Sequence, residues 1–247
     1  MVGTKYWYNG RIERISIYKA MVVMYQFNNK SIYISLLLIF SSFLVPAHAI
    51  SDENSAAQDL VVTNTTKLLN ELKENNGTIK EDNSIAYSLV EDIVLPHIDF
   101  RRVGQIVLGK YWRRANEDQR NRFVNEFRNF LVRTYVTAMI EFSDQIVSHA
   151  DNVRYLPFRN TNPEDVTVRM EIRLADRPPV SVNYSLYLKD ANWLIYDLSV
   201  EGISLATTYR SSFASEIRRG GIDKLIDKLA ARNVKAESDR QTVTATQ

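Results

Sequence analysis

Residues 166–188 read VTVRMEIRLADRPPVSVNYSLYL, and their spacing decides the fold class. Val166, Val168, Met170, Ile172 and Leu174 alternate with Thr167, Arg169, Glu171 and Arg173, a two-residue period that puts one set on each face of a strand. After a turn signal at Asp176-Arg177-Pro178-Pro179, Val180, Val182, Tyr184, Leu186 and Leu188 alternate with Ser181, Asn183, Ser185 and Tyr187. A loop at Asp190-Ala191-Asn192 leads into a further strand over 193–200, and two earlier strands are expected near 146–150 and 153–158. Strands joined this closely predict an antiparallel sheet with one buried face.

Helical periodicity flanks the meander on both sides. Upstream, Ala57, Val61, Thr65, Leu68 and Leu72 recur every three to four residues, ahead of a turn at Asn75-Asn76-Gly77. Ile85, Leu89 and Ile93 form a second stripe that Pro96 ends, and a short helix is expected over 100–108 with Gly109 as its stop. The longest helix is predicted from 117 to about 142. Asn116 suits its N-cap, and Gln119 three residues on completes a capping box. Phe123, Phe127, Phe130, Leu131, Tyr135, Ala138, Met139 and Phe142 share one face of it, which must lie against something broad. Downstream, Leu205, Tyr209, Phe213 and Ile217 make one stripe, and Ile222, Leu225, Ile226 and Leu229 another, with Gly220-Gly221 between them. Past Asn233 the chain is polar, and 234–247 is expected to fray as a disordered tail. With no internal repeat, this order predicts one α+β domain over 50–233.

The first 49 residues carry the marks of an export leader. Lys30 precedes a 14-residue apolar core over 32–45, Pro46 breaks it, and Ala47-His48-Ala49 has the small-x-small form that signal peptidase accepts. A spanning helix needs about 20 apolar residues, so a cleaved signal over 24–49 is the expectation. Residues 1–23 do not suit such a signal, and a start at Met21 or Met24 is expected instead. Residues 1–49 hold five of the 31 basic residues and one of the 29 acidic ones. The remaining 198 residues therefore carry 26 basic and 28 acidic groups, and nucleic-acid binding loses its electrostatic support. Cysteine is absent, which removes thiol nucleophiles, thiolate metal sites and disulfides together.

Chemistry is sparse. His97 and His149 sit in unlike contexts, neither with a metal-ligand partner at i+3 or i+4, and no HExxH or Gly-x-Ser-x-Gly pattern occurs. Asp197 and Glu201 are better suited to capping the strand-to-helix turn than to acid/base work. Arg113-Arg114 follows Tyr111-Trp112 but has acidic neighbours, and is expected to be solvated helix-end charge. The aromatic supply is more telling: Trp112, Phe123, Phe127, Phe130, Tyr135, Tyr184, Trp193, Tyr209 and Phe213 among others either fill an ordinary core or border an apolar cavity between the sheet and the long helix. Composition and spacing leave both open.

Two blocks resemble a known family. Val94-Leu95-Pro96-His97-Ile98-Asp99-Phe100, Val107-Leu108-Gly109-Lys110-Tyr111-Trp112, Gln119, Phe123, Phe127, Leu131 and Thr134-Tyr135 form the first. Trp193, Tyr196-Asp197, Val200-Glu201-Gly202-Ile203-Ser204-Leu205, Tyr209-Arg210-Ser211-Ser212-Phe213 and Gly221-Ile222-Asp223 form the second. Together, over about 55–232, they are similar to the MlaC, or toluene-tolerance auxiliary, family. Gly104 departs from the pattern where a slightly larger small residue is usual, and Asn116 where Ser or Thr is common. The resemblance implies an NTF2-like curved sheet with a helical subdomain and an apolar cavity between them. It implies a periplasmic phospholipid carrier of a Gram-negative envelope, not an enzyme, that maintains outer-membrane lipid asymmetry. Its partners would be an outer-membrane lipoprotein complex (MlaA-like) and an inner-membrane ABC transporter bearing an MCE protein (MlaD-like). No cofactor, metal or nucleic acid is implied; the ligand is phospholipid.

Pocket candidates come from the apolar strand faces and the helix stripe: Phe127, Leu131, Tyr135, Val168, Met170, Ile172, Val182, Tyr184 and Leu186, with Arg210 as a headgroup contact or a buried structural ion pair. Val182→Glu is expected to fold yet lose lipid. The alternatives are a secreted enzyme on an NTF2-like scaffold, which needs polar groups converging in the cavity, and a protein-binding adaptor with a filled core.

Overall fold

The computed structural model describes residues 52–157, 162–174 and 177–244, so the expected leader over 1–49 lies outside it. Helices α1 (Asp52–Glu74), α2 (Asn76–Glu81) and α3 (Asn83–Ile93) lead through a 3-10 turn (Leu95–His97) into α4 (Phe100–Leu108) and α5 (Lys110–Arg114). The long α6 (Glu117–Glu141) and the short α7 (Ser143–Ser148) follow. A meander of β1 (Val153–Tyr155), β2 (Asp165–Leu174), β3 (Arg177–Lys189), β4 (Asn192–Val200) and β5 (Ile203–Ser204) then runs into α8 (Leu205–Thr244). All strand pairs are antiparallel, in the order β1-β2-β3-β4-β5. The fold is α+β.

Register follows the alternation. Val168 faces Tyr184 and Met170 faces Val182, so the apolar sets of β2 and β3 share one side of the sheet. Between β3 and β4 the register shifts: Ser185 pairs with Asp197 but Leu186 with Ile195, leaving Tyr196 as the extra residue of a bulge. Ile98, just before α4, makes a parallel bridge to Ile195 there.

The core has several parts. α1 lies on the sheet, with Ala57 and Val61 against Val166, Val168, Leu186 and Trp193. Leu72, Ile79, Ala86 and Val136 lock α1, α2, α3 and α6 together. The largest cluster joins α4, α5, α6 and α8 through an aromatic stack. Phe123 and Phe127 are nearly parallel with centroids 5.4 Å apart, and Phe213 meets Phe127 edge-on at 5.5 Å. Such pairs add about 0.5–1.5 kcal/mol each beyond burial.

The predicted capping box is present: Gln119 N donates to Asn116 Oδ1 at 2.8 Å, and Asn116 N donates to Gln119 Oε1 at 3.1 Å. Asn116→Ala should cost about 1 kcal/mol. In a chain of this size that lowers Tm by roughly 2–4 °C, readable in a thermal melt.

Three expectations are corrected. Residues 146–150 are not a strand, since α7 and a 3-10 turn (Ala150–Asn152) occupy the region. Ile146 and Val147 are adjacent, not alternating, and both pack on the Leu72 cluster as helix neighbours can. The strand after the turn starts at Arg177 instead of Val180, with Arg177 paired to Leu174 and Pro178 and Pro179 exposed. Finally, α8 runs to Thr244, well past Asn233, with a break at Gly221, whose φ is +82°. Residues 234–244 contain good helix formers such as Lys235, Ala236 and Glu237, and a polar composition does not remove helix propensity.

Candidate functional site

The β4 bulge, α3, α4, α6 and the start of α8 enclose a cavity of about 320 Å³. α6 supplies Phe127, Leu131, Tyr135 and Met139 at four-residue steps, with Val132 and Val136 beside them: one face of one helix. Val90, Val94, Leu95 and Ile98 close a second side, Phe100 and Val103 a third. β4 contributes Ile195, Tyr196, Asp197 and Leu198, α8 contributes Leu205, Ala206 and Tyr209, and Leu68 of α1 completes the wall. Asp197 is the sole ionisable carboxylate of this lining, and it is committed: its Oδ1 accepts the Ala206 amide at 3.0 Å, capping α8. The Tyr135 and Tyr209 hydroxyls lie 3.5 Å apart. Burial, followed by the neighbouring Tyr209, pushes the Tyr135 phenol well above its ordinary value, so it stays neutral. The lining therefore offers apolar surface, with its carboxylate engaged as a helix cap and the Tyr135 phenol neutral.

Beside the bulge, a polar joint pins α4 to the sheet. The Arg102 guanidinium sits 3.7 Å from the Tyr187 ring centroid and 4.4 Å from that of Tyr196. It pairs with Asp165 at 3.2 Å, and Tyr196 donates to the same carboxylate at 2.7 Å. Burial first, then the Asp165 hydrogen bond, pushes the Tyr196 phenol up to about 12. Asp99 caps α4 by accepting the Arg102 amide at 2.9 Å, accepts the Tyr187 hydroxyl, and lies 3.9 Å from Lys189. Burial works to raise the Asp99 carboxyl, but the Tyr187 hydroxyl, the Arg102 amide and Lys189 outweigh it and hold the group below its ordinary value. A value lowered by folding means stabilisation that is present above about pH 4 and lost as acid protonates the group. Asp99→Asn is thus expected to lower Tm at pH 7 and to flatten the wild type's fall in Tm as pH drops through the carboxylate range; melts across that range check it.

Of the sequence-derived pocket residues, Phe127, Leu131 and Tyr135 line the cavity. Val168 and Leu186 lie in the cluster beneath α1. Met170 and Val182 are buried with Val180, and Ile172 and Tyr184 pack against them. Leu198 touches that cluster and also lines the cavity, so the two are contiguous. The reason is α1, which covers the part of the sheet face where Val168 and Leu186 point. Val182 is 7% exposed, so a glutamate there would bury a charge and test folding as much as ligand. The β4 residues 195–198 and the segment 90–100 were not among the sequence candidates. The period of β4 runs through a bulge, and no local pattern announces that.

Arg210 is exposed, and its guanidinium lies against Gly109. A Cβ at Gly109 would fall 2.8 Å from Arg210 Nε, and Gly109 has φ +52°, so glycine serves both needs. Arg210 is not part of the cavity lining to which Tyr209 belongs. His149 Nδ1 lies 2.8 Å from the Gln145 carbonyl and 2.9 Å from Ser148 Oγ, a local helix-end contact. Among the described residues no group of three His, Asp or Glu side chains is placed to hold a metal, and no helix is long and apolar enough to cross a membrane.

Comparison with known proteins agrees with this geometry. The family model described as MlaC protein matches residues 62–231. The chain is 27% identical over 182 residues to the toluene tolerance protein ttg2D of Pseudomonas putida, covering 72% of this chain and 82% of that protein. It is 24% identical over 197 residues to the intermembrane phospholipid transport system binding protein MlaC of Haemophilus influenzae, covering 78% and 89%. A solved phospholipid-binding protein from Ralstonia solanacearum, in complex with a phospholipid, superposes with a TM-score of 0.61 at 29% identity, covering 72% of this chain and 97% of that one. With the family model spanning most of the described domain, on a matching α+β fold, the chain belongs to the MlaC family.

Proposed function

We propose that this chain is a soluble phospholipid carrier of the periplasm, exported by a leader over 24–49 and binding lipid through the domain over 50–233. The observation that carries the proposal is the cavity: about 320 Å³, walled by aliphatic and aromatic groups, its one carboxylate tied up as a helix cap. Relatives named for phospholipid binding and transport support it. Moving two acyl chains of roughly 30 methylenes through water costs about 20–25 kcal/mol at about 0.8 kcal/mol each. A carrier needs only to match the membrane interior, without nucleophile or metal. Acyl chains would lie against Phe127, Leu131 and Tyr135 and extend through Leu198 toward Met170, Ile172, Val182 and Tyr184. The lipid would pass between an MlaA-like outer-membrane complex and an MlaD-bearing inner-membrane transporter, in service of outer-membrane asymmetry. Arg210 enters the proposal only as a headgroup contact outside the cavity.

Organic extraction of the purified protein, followed by mass spectrometry, tests the proposal. Phospholipid near one molecule per chain is expected. A protein that stays lipid-free, and takes up none from vesicles, would return the adaptor reading.

A further inference from the structure

The Arg113-Arg114 pair has acidic neighbours in sequence, but the structure commits those acids elsewhere. Glu117 pairs with Arg101 at 3.0 Å and Arg120 at 3.5 Å, and Asp118 with Arg122 at 3.8 Å. From α8, Glu216 is taken by Arg219 at 2.8 Å and Lys228 at 3.2 Å. What remains around Gly109 is a group of exposed cations. Lys110, Arg113 and Arg114 all lie on the five-residue helix α5, and Arg210 is laid against Gly109 immediately before it. Among the described residues no carboxylate lies within ion-pair distance of any of the four. No acidic residue occurs between Phe100 and Asn116. The chain beyond residue 49 is slightly acidic as a whole, so this concentration of positive charge is a local asymmetry.

We propose that Lys110, Arg113, Arg114 and Arg210 form an electrostatic docking face for the anionic headgroups of a phospholipid bilayer. A fluid array of phosphates suits this patch better than a protein partner does. Stable protein interfaces are centred on a buried apolar or aromatic anchor. Here the exposed large hydrophobics among the described residues are Ile203 and Val234, and neither belongs to the patch. The four side chains are long and exposed, able to follow moving phosphates without a fixed complementary shape. The two helices that frame the patch also reach the cavity: α4 through Val103 and α8 through Tyr209, the residue before Arg210. Docking by this face would bring the two helices that help wall the cavity close to the membrane surface. The inference goes beyond carriage and stands whether or not the cavity takes lipid, because binding to a surface is read on the protein itself.

Each Lys or Arg near an anionic surface changes partitioning by about fivefold, so four together give several hundred-fold. Co-sedimentation with vesicles of phosphatidylcholine, alone or mixed with phosphatidylglycerol, should show binding only to the mixed vesicles. That binding should be present at about 0.01 M salt and abolished at about 1 M, where the Debye length shrinks from about 30 to 3 Å. K110Q/R113Q/R114Q/R210Q should lose the several hundred-fold. K110Q/R113Q/R114Q, which leaves the Gly109 contact intact, should lose on the order of a hundredfold and melt like the wild type. Arg173→Gln, at an exposed cation of β2 outside the patch, should bind as the wild type does. Equal binding to neutral vesicles, or a folded triple variant that binds like the wild type, overturns the proposal. So does salt-sensitive binding to an acidic protein with none to anionic vesicles.

Discussion

Leu131→Trp should bind phospholipid at least about tenfold more weakly than the wild type. Leu131 stands in the middle of the α6 stripe that walls the cavity, half-buried between Phe127 and Tyr135. An indole at this position projects into empty space instead of into packed side chains. Displacing about two methylenes of ligand from apolar contact costs about 1.6 kcal/mol at roughly 0.8 kcal/mol each, which is more than tenfold in affinity. Overpacking of a filled core typically costs about 1–3 kcal/mol, and a site bordering a cavity falls at the low end. The lipid-free variant should therefore melt within about 5 °C of delipidated wild type. Competition between variant and wild type for limiting phospholipid, read by native mass spectrometry, gives the affinity ratio, and calorimetry reads the fold. Equal sharing of the lipid by a variant that melts normally would move the ligand out of this cavity.

Phe123→Ala should be the most damaging single truncation for stability. Phe123 has no solvent exposure, stacks on Phe127 at 5.4 Å and meets Phe213 edge-on at 6.0 Å. Its ring ties α6 to α8, and neighbouring Phe127 is shared between this core and the cavity wall. Removing a buried phenylalanine costs about 3–5 kcal/mol through lost transfer energy and the void it leaves. For a chain of this size that is a Tm fall of roughly 10–15 °C. Calorimetry on delipidated protein decides it, since bound ligand would raise both melts by mass action. A drop below about 3 °C would mean that the α6–α8 seam collapses around the gap and that the aromatic stack is not what holds it.

The elements were legible where one face of the chain is apolar and the other is not. The strands over 166–174 and 180–188, the α6 stripe with its Asn116–Gln119 box and the break at Gly220-Gly221 all follow from local chemistry: pleat, helical turn, orphan amides and glycine's freedom. The pocket was legible only on α6. There the long stripe of Phe127, Leu131 and Tyr135 is wider than a single packing partner, and part of it stayed open. On the sheet, the same alternation that placed Val168 and Leu186 indoors is equally satisfied by α1 lying over them. A two-residue period states that a side chain leaves water. It does not state whether protein or ligand replaces the water.

By itself the sequence determined an α+β chain with a buried sheet face, capped helices and no cysteine chemistry, because periodicity and capping act within a few residues. Residues far apart in the chain had to be brought together before the cavity existed: Ile98 bridges to Ile195, Tyr196 bulges toward Arg102, and Tyr209 comes within 3.5 Å of Tyr135. The cation group at Gly109 is settled on both scales: Arg120 and Arg122 engage Glu117 and Asp118 one turn along α6, while Arg101 reaches Glu117 from α4 and Arg210 reaches Gly109 from α8. Helix-turn spacing already pairs some of these charges, but which apolar faces stay unfilled, and which cations gather at one place, are properties of contact at long range that tertiary structure decided.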